Sequence, residues 1–250
     1  MKNLKNCLLL LVLSIGTTHP WNVAGVGRDL VVGCELGARV FTAVAAVSAQ
    51  DGRGVRALHA VPAEALRAQL AAMPWETAGA VRIGALAIVE NVRAIAALLR
   101  ARPNLPAVVD PVFTASRGGE LNEAAAIDAI RDELATLPSV ILTPNLHEAA
   151  SLLGVQPIGA DAIGEAAIAL QVRGACAVLV KGGHLAGDPI DALATVAGVE
   201  RFQEPRIAAE MHGTGCTLAM ALACELAGGT PLLHAVHAAR AYVRAQIARH

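Results

Sequence analysis

The sequence predicts an α/β fold, a doubly wound and mostly parallel sheet with helices on both faces. Three observations point there. Short apolar runs alternate with helical periodicity almost to the end of the chain. Single polar residues, Asp110, Asn145 and Lys181, follow apolar runs directly, as they do where parallel strands end beside a ligand crevice. The chain has 250 residues, 55% of them hydrophobic, enough for one large core. No linker, internal repeat or low-complexity segment divides it, so residues 1–250 read as a single domain.

The first element is ambiguous in isolation. Lys2 and Lys5 ahead of Cys7-Leu-Leu-Leu-Leu-Val-Leu-Ser-Ile15 have the form of a signal peptide, and Val31-Val-Gly-Cys34 has the form of a lipoprotein cleavage box. Arg28 and Asp29 separate that box from the apolar run, and no A-x-A site follows. The run is too short to span a bilayer as a helix. A buried first strand of a parallel sheet has the same composition. Cys7–Ile15 is therefore expected as a strand, in a cytoplasmic protein with no membrane partner.

Five further strands are expected at Val40–Val47, Ala80–Ile83, Ala107–Val109, Val140–Leu142 and Ala177–Val180. Helices are expected at Val26–Leu36, Ala63–Met73, Val89–Ala101, Ala124–Leu137, Leu146–Leu153 and Gly164–Val172. Asp191–Val196 and Gly198–Phe202 predict a small antiparallel hairpin. Two helices, Cys216–Ala227 and Leu232–Ala248, close the chain on either side of Gly228-Gly-Thr-Pro231.

The stretch His212-Gly-Thr-Gly-Cys-Thr217 carries the most chemical information. Two glycines permit a tight turn into an apolar helix, whose free N–H groups converge where the helix dipole favours an anion. Cys216 lies in that turn, where a thiolate should be stabilised and the thiol pKa lowered. An anion hole with a base inside it suits phosphoryl transfer to a hydroxyl. A glycine-rich helix start with a buried cysteine accounts for the same residues. In Thr143-Pro-Asn-Leu-His-Glu148, Asn145 and Glu148 have the spacing of a capping box; the pair can also hold water around a magnesium ion on nucleotide phosphates.

Composition narrows the classes. Net charge is −1 with no basic run, and aromatic residues make up 2%, which argues against nucleic acid as a partner. The five cysteines show no C-x-x-C spacing and suit free thiols in a reducing compartment. Arginine carries nearly all the positive charge; the lysines are Lys2, Lys5 and Lys181. A lysine in Val180-Lys-Gly-Gly183 therefore suggests that a compact ammonium is needed there. His19, His59, His184, His234 and His237 lack metal-ligand spacing and are expected at the surface or in supporting roles. Asp188 and Asp191, flanking Pro189, read as turn residues.

Taken in order, Ser48-Ala-Gln-Asp51, Val109-Asp-Pro-Val112, Thr143-Pro-Asn145 with Glu148, Leu153-Gly154, Val178-Leu-Val-Lys-Gly-Gly-His184 and His212-Gly-Thr-Gly-Cys-Thr217 resemble the hydroxymethylpyrimidine/phosphomethylpyrimidine kinases of thiamine synthesis, within the ribokinase superfamily. The resemblance runs from about Leu36 to the C-terminus. Related sugar kinases carry aspartate in place of Cys216.

The resemblance implies a ribokinase-like fold and an ATP- and Mg2+-dependent kinase acting on the hydroxymethyl group of a small aminopyrimidine, as a cytoplasmic homodimer. Cys216 takes the place of the catalytic base, and Gly213 to Gly215 that of the anion hole. Lys181 matches a catalytic lysine near the nucleotide phosphates, with Asp110, Asn145 and Thr214 also on the nucleotide side. Glu148 and Asn145 match the magnesium-associated pair, acting through water. Gln50 and Asp29 match residues that contact the pyrimidine and its hydroxymethyl group. A glutamine amide offers an aminopyrimidine edge both a donor and an acceptor.

The departures lie at the substrate end. A glycine- and serine-rich loop with an acidic residue follows the family's first strand; here it reads Gly16-Thr-Thr-His-Pro-Trp-Asn-Val-Ala-Gly25. Ala85, a substrate-side position, replaces a methionine that covers the ring. These changes keep two other readings open, a pyridoxal-type vitamin kinase and a catalytically weak pyrimidine sensor.

Overall fold

The computed structural model describes residues 10–51, 53–115, 117–183, 185 and 187–249. Nine strands among them form one sheet in the order β3-β2-β1-β4-β5-β6-β7-β8-β9. The strands are β1 (Leu11–Thr17), β2 (Arg39–Asp51), β3 (Gly54–Ala60), β4 (Ala80–Ile83), β5 (Ala107–Val109), β6 (Val140–Leu142), β7 (Ala177–Val180), β8 (Ile190–Thr195) and β9 (Gly198–Gln203). From β2 through β7 all neighbours are parallel, and β3, β8 and β9 add antiparallel edges. The helices are α1 (Gly25–Glu35), α2 (Ala63–Ala71), α3 (Val89–Arg100), α4 (Ala124–Ala129), α5 (Leu146–Leu153), α6 (Ile163–Gln171), α7 (Thr214–Ala227) and α8 (Leu232–Ile247).

The expected doubly wound α/β fold is what forms. Successive residues of a strand face opposite sides of the sheet, and each side has its own apolar core. Val12, Ala80, Val108, Ile141 and Ala177 pack with α1, α7 and α8. Their neighbours Leu13, Val81, Val109, Leu142 and Val178 pack with α2 to α6. Burial on both faces explains why these strands are continuous apolar runs rather than alternating ones.

Three details depart from the sequence reading. β1 begins at Leu11 and ends at Thr17, every residue buried; Lys2, Lys5 and Cys7 lie outside the described residues, as does His184. β2 runs four residues past Val47 and pairs with β3, a strand the sequence analysis did not anticipate, across a bulge at Ala49/Gln50. The sequence Asp51-Gly-Arg-Gly54, with its two glycines, was the available signal. The helix expected at Ala124–Leu137 is regular only to Ala129 and continues as a wider π turn over Ile130–Leu134.

The chain leaves β1 for β2 on one side and later places β4 on the other. That reversal opens a crevice beyond the carboxyl ends of β1 and β4, the usual ligand position in such sheets.

Candidate active site

Two groups of polar residues meet at this edge. The first surrounds Lys181, just past β7. Its Nζ lies 2.7 Å from Asp110 Oδ1, just past β5. The Lys181 backbone N–H donates to the Pro144 carbonyl at 2.8 Å, tying the ends of β6 and β7 together. Asn145 starts α5 with both bonds of a capping box: the Asn145 N–H donates to Glu148 Oε2 at 2.7 Å, and the Glu148 N–H to Asn145 Oδ1 at 2.9 Å. Burial pushes the Glu148 carboxyl up to about 7, against the pull of Lys181, with Asp110 adding to the rise. Burial also opposes the charge on Lys181, but Asp110 and Glu148 overcome it and hold the ammonium above its ordinary value.

The glycines of the His212–Thr217 stretch bring α7 down onto this group. Gly213 takes φ +76°, and a Cβ there would sit 2.0 Å from the Val23 carbonyl oxygen, so only glycine fits. A Cβ on Gly215 would stand 3.3 Å from Lys181 Nζ and 3.5 Å from Asp110 Oδ2. The α7 N-terminus thus opens directly over the Lys181–Asp110 pair.

The second group centres on Arg82, a residue the sequence analysis missed. Its strand neighbours Val81 and Ile83 enter the core under α2 to α6, so alternation turns Arg82 toward α1 and α7. Ser14 is its register partner on β1. The Arg82 side chain is 1% exposed and pairs with Asp29 Oδ2 at 3.2 Å and Asp110 Oδ2 at 3.4 Å. Ser14 Oγ donates to Asp29 Oδ2 at 2.6 Å. Against the cost of its burial, the Asp29 and Asp110 carboxylates keep the Arg82 guanidinium charged. The signal was available: an arginine inside Ala80-Val-Arg-Ile83 must be buried, and a buried guanidinium needs partners.

The expected lowering of the Cys216 pKa does not hold. Burial pushes the thiol up, and Asp110 and Asp29 push it further; Arg82 and the Gly25 backbone N–H oppose the rise. Desolvation of a thiolate beside two carboxylates outweighs the helix start. Asp29, a residue of α1, is fully buried. Burial raises its carboxyl, while Arg82 and Ser14 pull it back.

The remaining expected residues are more dispersed. Gln50, on β2, turns its amide nitrogen to Ser48 Oγ at 2.8 Å and the Thr18 carbonyl at 3.4 Å, which joins it to the first loop. Ala85 is buried just past β4. Its loop reaches Ala87, at φ +66°, and is held by Asn122, whose Oδ1 accepts the Leu86 and Ala87 N–H groups. Thr214 is the first residue of α7 and half-buried. His19 is 3% exposed rather than at the surface. Its ring meets His212 edge-on at 5.8 Å, and burial together with His212 lowers its pKa. Asp191 is a strand residue, not a turn residue: it accepts the Gly182 N–H at 2.9 Å and pairs with Arg240 at 2.8 Å.

Among the described residues no three His, Cys, Asp or Glu side chains are placed to hold a metal by themselves. The donors near Lys181 are all oxygen, from Asp110, Asn145 and Glu148. Across the two groups, three carboxylates (Asp29, Asp110, Glu148) face two cations (Arg82, Lys181). Hard oxygen donors fit Mg2+, which binds few protein groups and completes its shell with water and phosphate.

The comparisons with known proteins agree with this geometry. The family model described as phosphomethylpyrimidine kinase matches residues 20–250; the likeness therefore includes the first loop and is not confined to the chain beyond Leu36. A hydroxymethylpyrimidine/phosphomethylpyrimidine kinase of Streptomyces coelicolor is 38% identical over 239 residues, 95% of this chain and 88% of that protein. The solved ADP complex of Bacillus subtilis pyridoxal kinase superposes with a TM-score of 0.86 at 27% identity, over 96% of this chain and 92% of that one. A phosphomethylpyrimidine kinase structure from Clostridium difficile 630 gives 0.81 at 26% identity, over 95% and 99%. With a family match from the first loop to the last residue and a fold shared with both kinds of kinase, the chain belongs to the phosphomethylpyrimidine kinase family.

Proposed function

We propose that this protein transfers the γ-phosphoryl group of ATP to the hydroxymethyl group of a small aminopyrimidine, as a step of thiamine synthesis. One observation carries the reading: the α7 N-terminus, with Gly213 to Cys216, opens over Lys181 and Asp110 beside the crevice between β1 and β4. Convergent N–H groups at that helix start would receive the transferred phosphoryl oxygens, and Lys181 would neutralise their charge. Thr214 and Asp110 would border the nucleotide. Glu148 and Asn145 would hold Mg2+ through water, and the bound ion would offset charge on the phosphates. The Gln50 carbonyl end would meet the ring amino group, and buried Ala85 would line the alcohol side.

Cys216 would take the proton of the hydroxymethyl oxygen as that oxygen bonds to phosphorus and the β–γ bridging oxygen leaves with ADP. Because burial raises the thiol, the rate should climb with pH above neutrality. The reading includes a homodimer in the cytoplasm, tested by light scattering and cell fractionation. Among the described residues no helix is long and apolar enough to cross a membrane.

The test is ATP turnover with 4-amino-5-hydroxymethyl-2-methylpyrimidine, its monophosphate and pyridoxal. Turnover stimulated by the free pyrimidine supports the proposal, and no stimulation by any alcohol refutes it. A pyridoxal kinase is the second reading, favoured by the 0.86 superposition on a pyridoxal kinase; a higher kcat/KM for pyridoxal would establish it. ATP-independent ligand binding would mark a sensor. The His19-Pro-Trp-Asn22 segment stiffens the first loop, so the first phosphorylation should exceed the second. A monophosphate that is the best substrate would refute that point.

A further inference from the structure

Lys181 stands where the sheet stops holding the chain. The antiparallel ladder between β7 and β8 ends at Val180 and Ala192. The next strand-side donor, the Gly182 N–H, goes instead to a side chain, Asp191 Oδ1, at 2.9 Å. Gly182 runs so close to β8 that a Cβ on it would lie 2.1 Å from the Ile190 carbonyl oxygen, an approach that only glycine permits. On the other side of the same Cα, the Lys181 N–H donates to the Pro144 carbonyl at 2.8 Å. Peptide units are planar. Two pinned N–H groups therefore fix the peptide on each side of Lys181, and with them the direction in which its side chain leaves the backbone. That side chain then reaches Asp110 at 2.7 Å.

Asp191 is itself held. Arg240 of α8 donates from Nε to Asp191 Oδ2 at 2.8 Å, and its Nη1 pairs with Glu204 Oε2 at 3.1 Å. The guanidinium also lies 4.8 Å from the centre of the Phe202 ring. The Asp191 and Arg240 side chains are 14% and 10% exposed, and charge-assisted bonds are strong in such shielded places. The ion pair by itself would only fasten α8 to the sheet; the second carboxylate oxygen acts on the residue beside Lys181.

We propose that Asp191 is the positioning residue of Lys181: by accepting the Gly182 N–H it sets the direction of the lysine side chain, and Arg240 keeps Asp191 in place. The proposal rests on Lys181 serving the transferred phosphoryl group.

The test removes the ion pair and varies only the acceptor. Arg240→Met/Asp191→Asn keeps an oxygen for the Gly182 N–H, and Arg240→Met/Asp191→Ala does not. The lysines of the chain are Lys2, Lys5 and Lys181. Acylation of Lys181 by acetic anhydride, in the full chain without substrate, is therefore read by peptide mass spectrometry as a ratio to the other two. Relative to the asparagine variant, the alanine variant should lose about 10–10²-fold in kcat, the cost of a slightly misplaced group, with KM for the alcohol within about twofold. Its Lys181 should acylate about threefold faster or more, as an ammonium that has lost part of its pairing. Should Arg240→Met not fold, Asp191→Ala alone carries the same readouts against wild type, with Arg240 still paired to Glu204. Equal Lys181 acylation with and without the acceptor overturns the proposal, whatever the turnover. Faster acylation with turnover retained would keep Asp191 as the support of Lys181 and remove Lys181 from phosphoryl transfer, so failure of this proposal and failure of the kinase reading are separately visible.

Discussion

The Lys181 side and the Arg82 side of the crevice are built in different ways. Around Lys181 the parts are local: Asn145 and Glu148 are three residues apart on one helix start, and Asp110 and Lys181 each follow a strand directly. Around Arg82 the parts come from separate stretches of the chain: Ser14, Asp29 and Arg82 meet only because β1 pairs with β4 and α1 packs beside them. A site written as short motifs keeps its residues when the surroundings change. A site written as long-range packing lets adjoining loops diverge, provided the buried partners stay, and the resemblance to the family implies such a divergence at Gly16–Gly25.

The largest expected effect sits where the two sides join. Cys216→Ala should lower kcat by about 10²–10⁴-fold, the range for loss of a general base, while Cys224→Ala, buried two turns further along α7, leaves it near wild type. Steady-state kinetics check both; a fully active Cys216→Ala would leave Cys216 as packing.

Lys181→Met tests the other side alone. Turnover should fall by about 10²–10³-fold, as when one donor to a developing oxyanion is removed. A lysine that served catalysis alone would leave the melting temperature unchanged. The 2.7 Å pair with Asp110 changes that expectation to a lower one, because a largely buried carboxylate loses its shortest cationic contact. Calorimetry beside kinetics separates the two effects.

Glu148→Gln sharpens the comparison through pH. The folded carboxyl titrates near 7 against an ordinary 4.5. Between those values the folded state keeps a proton that the unfolded chain has lost, so its contribution to stability falls as pH rises. Lowered pKa values at His19 and His212 act in the opposite sense but are common to both proteins. The melting temperature of wild type minus that of Glu148→Gln should therefore decline from pH 5 to pH 7.5. A flat difference would place Glu148 outside the charged cluster.

The smallest effect is expected at the loop tip. Trp21 is 62% exposed, so Trp21→Gly should alter stability by no more than about 0.5 kcal/mol and leave KM for ATP unchanged. A few-fold change in KM for the alcohol would locate selectivity in this loop. A change in KM for ATP instead would mean that the two sides are not separable.

Much of the Lys181 side could be read in advance, since strand ends, a capping box and a glycine turn each leave a mark within a few residues. Arg82 was missed because its significance depends on the strand face it occupies, which follows from pairing with β1. His19 is buried by contacts, among them His212, that lie far away in the chain, and Asp191, at the border of an expected turn and an expected strand, lies inside β8 because the strand begins at Ile190. The Cys216 thiol went the wrong way for a related reason: the helix start is visible in the motif, while the two carboxylates and the burial are not.

The sequence by itself determined the alternation of strands and helices, the polar residues at the strand ends and the glycine turn into α7, because hydropathy period and turn chemistry act over a few residues. Only the tertiary structure decided that β3 extends the sheet, that Asp29 is buried against Arg82, and that this one arginine of β4 joins α1 to the end of β5. Those outcomes depend on strand register and on the electrostatics of a dry interior, where a charge takes its value from neighbours that are distant in the chain.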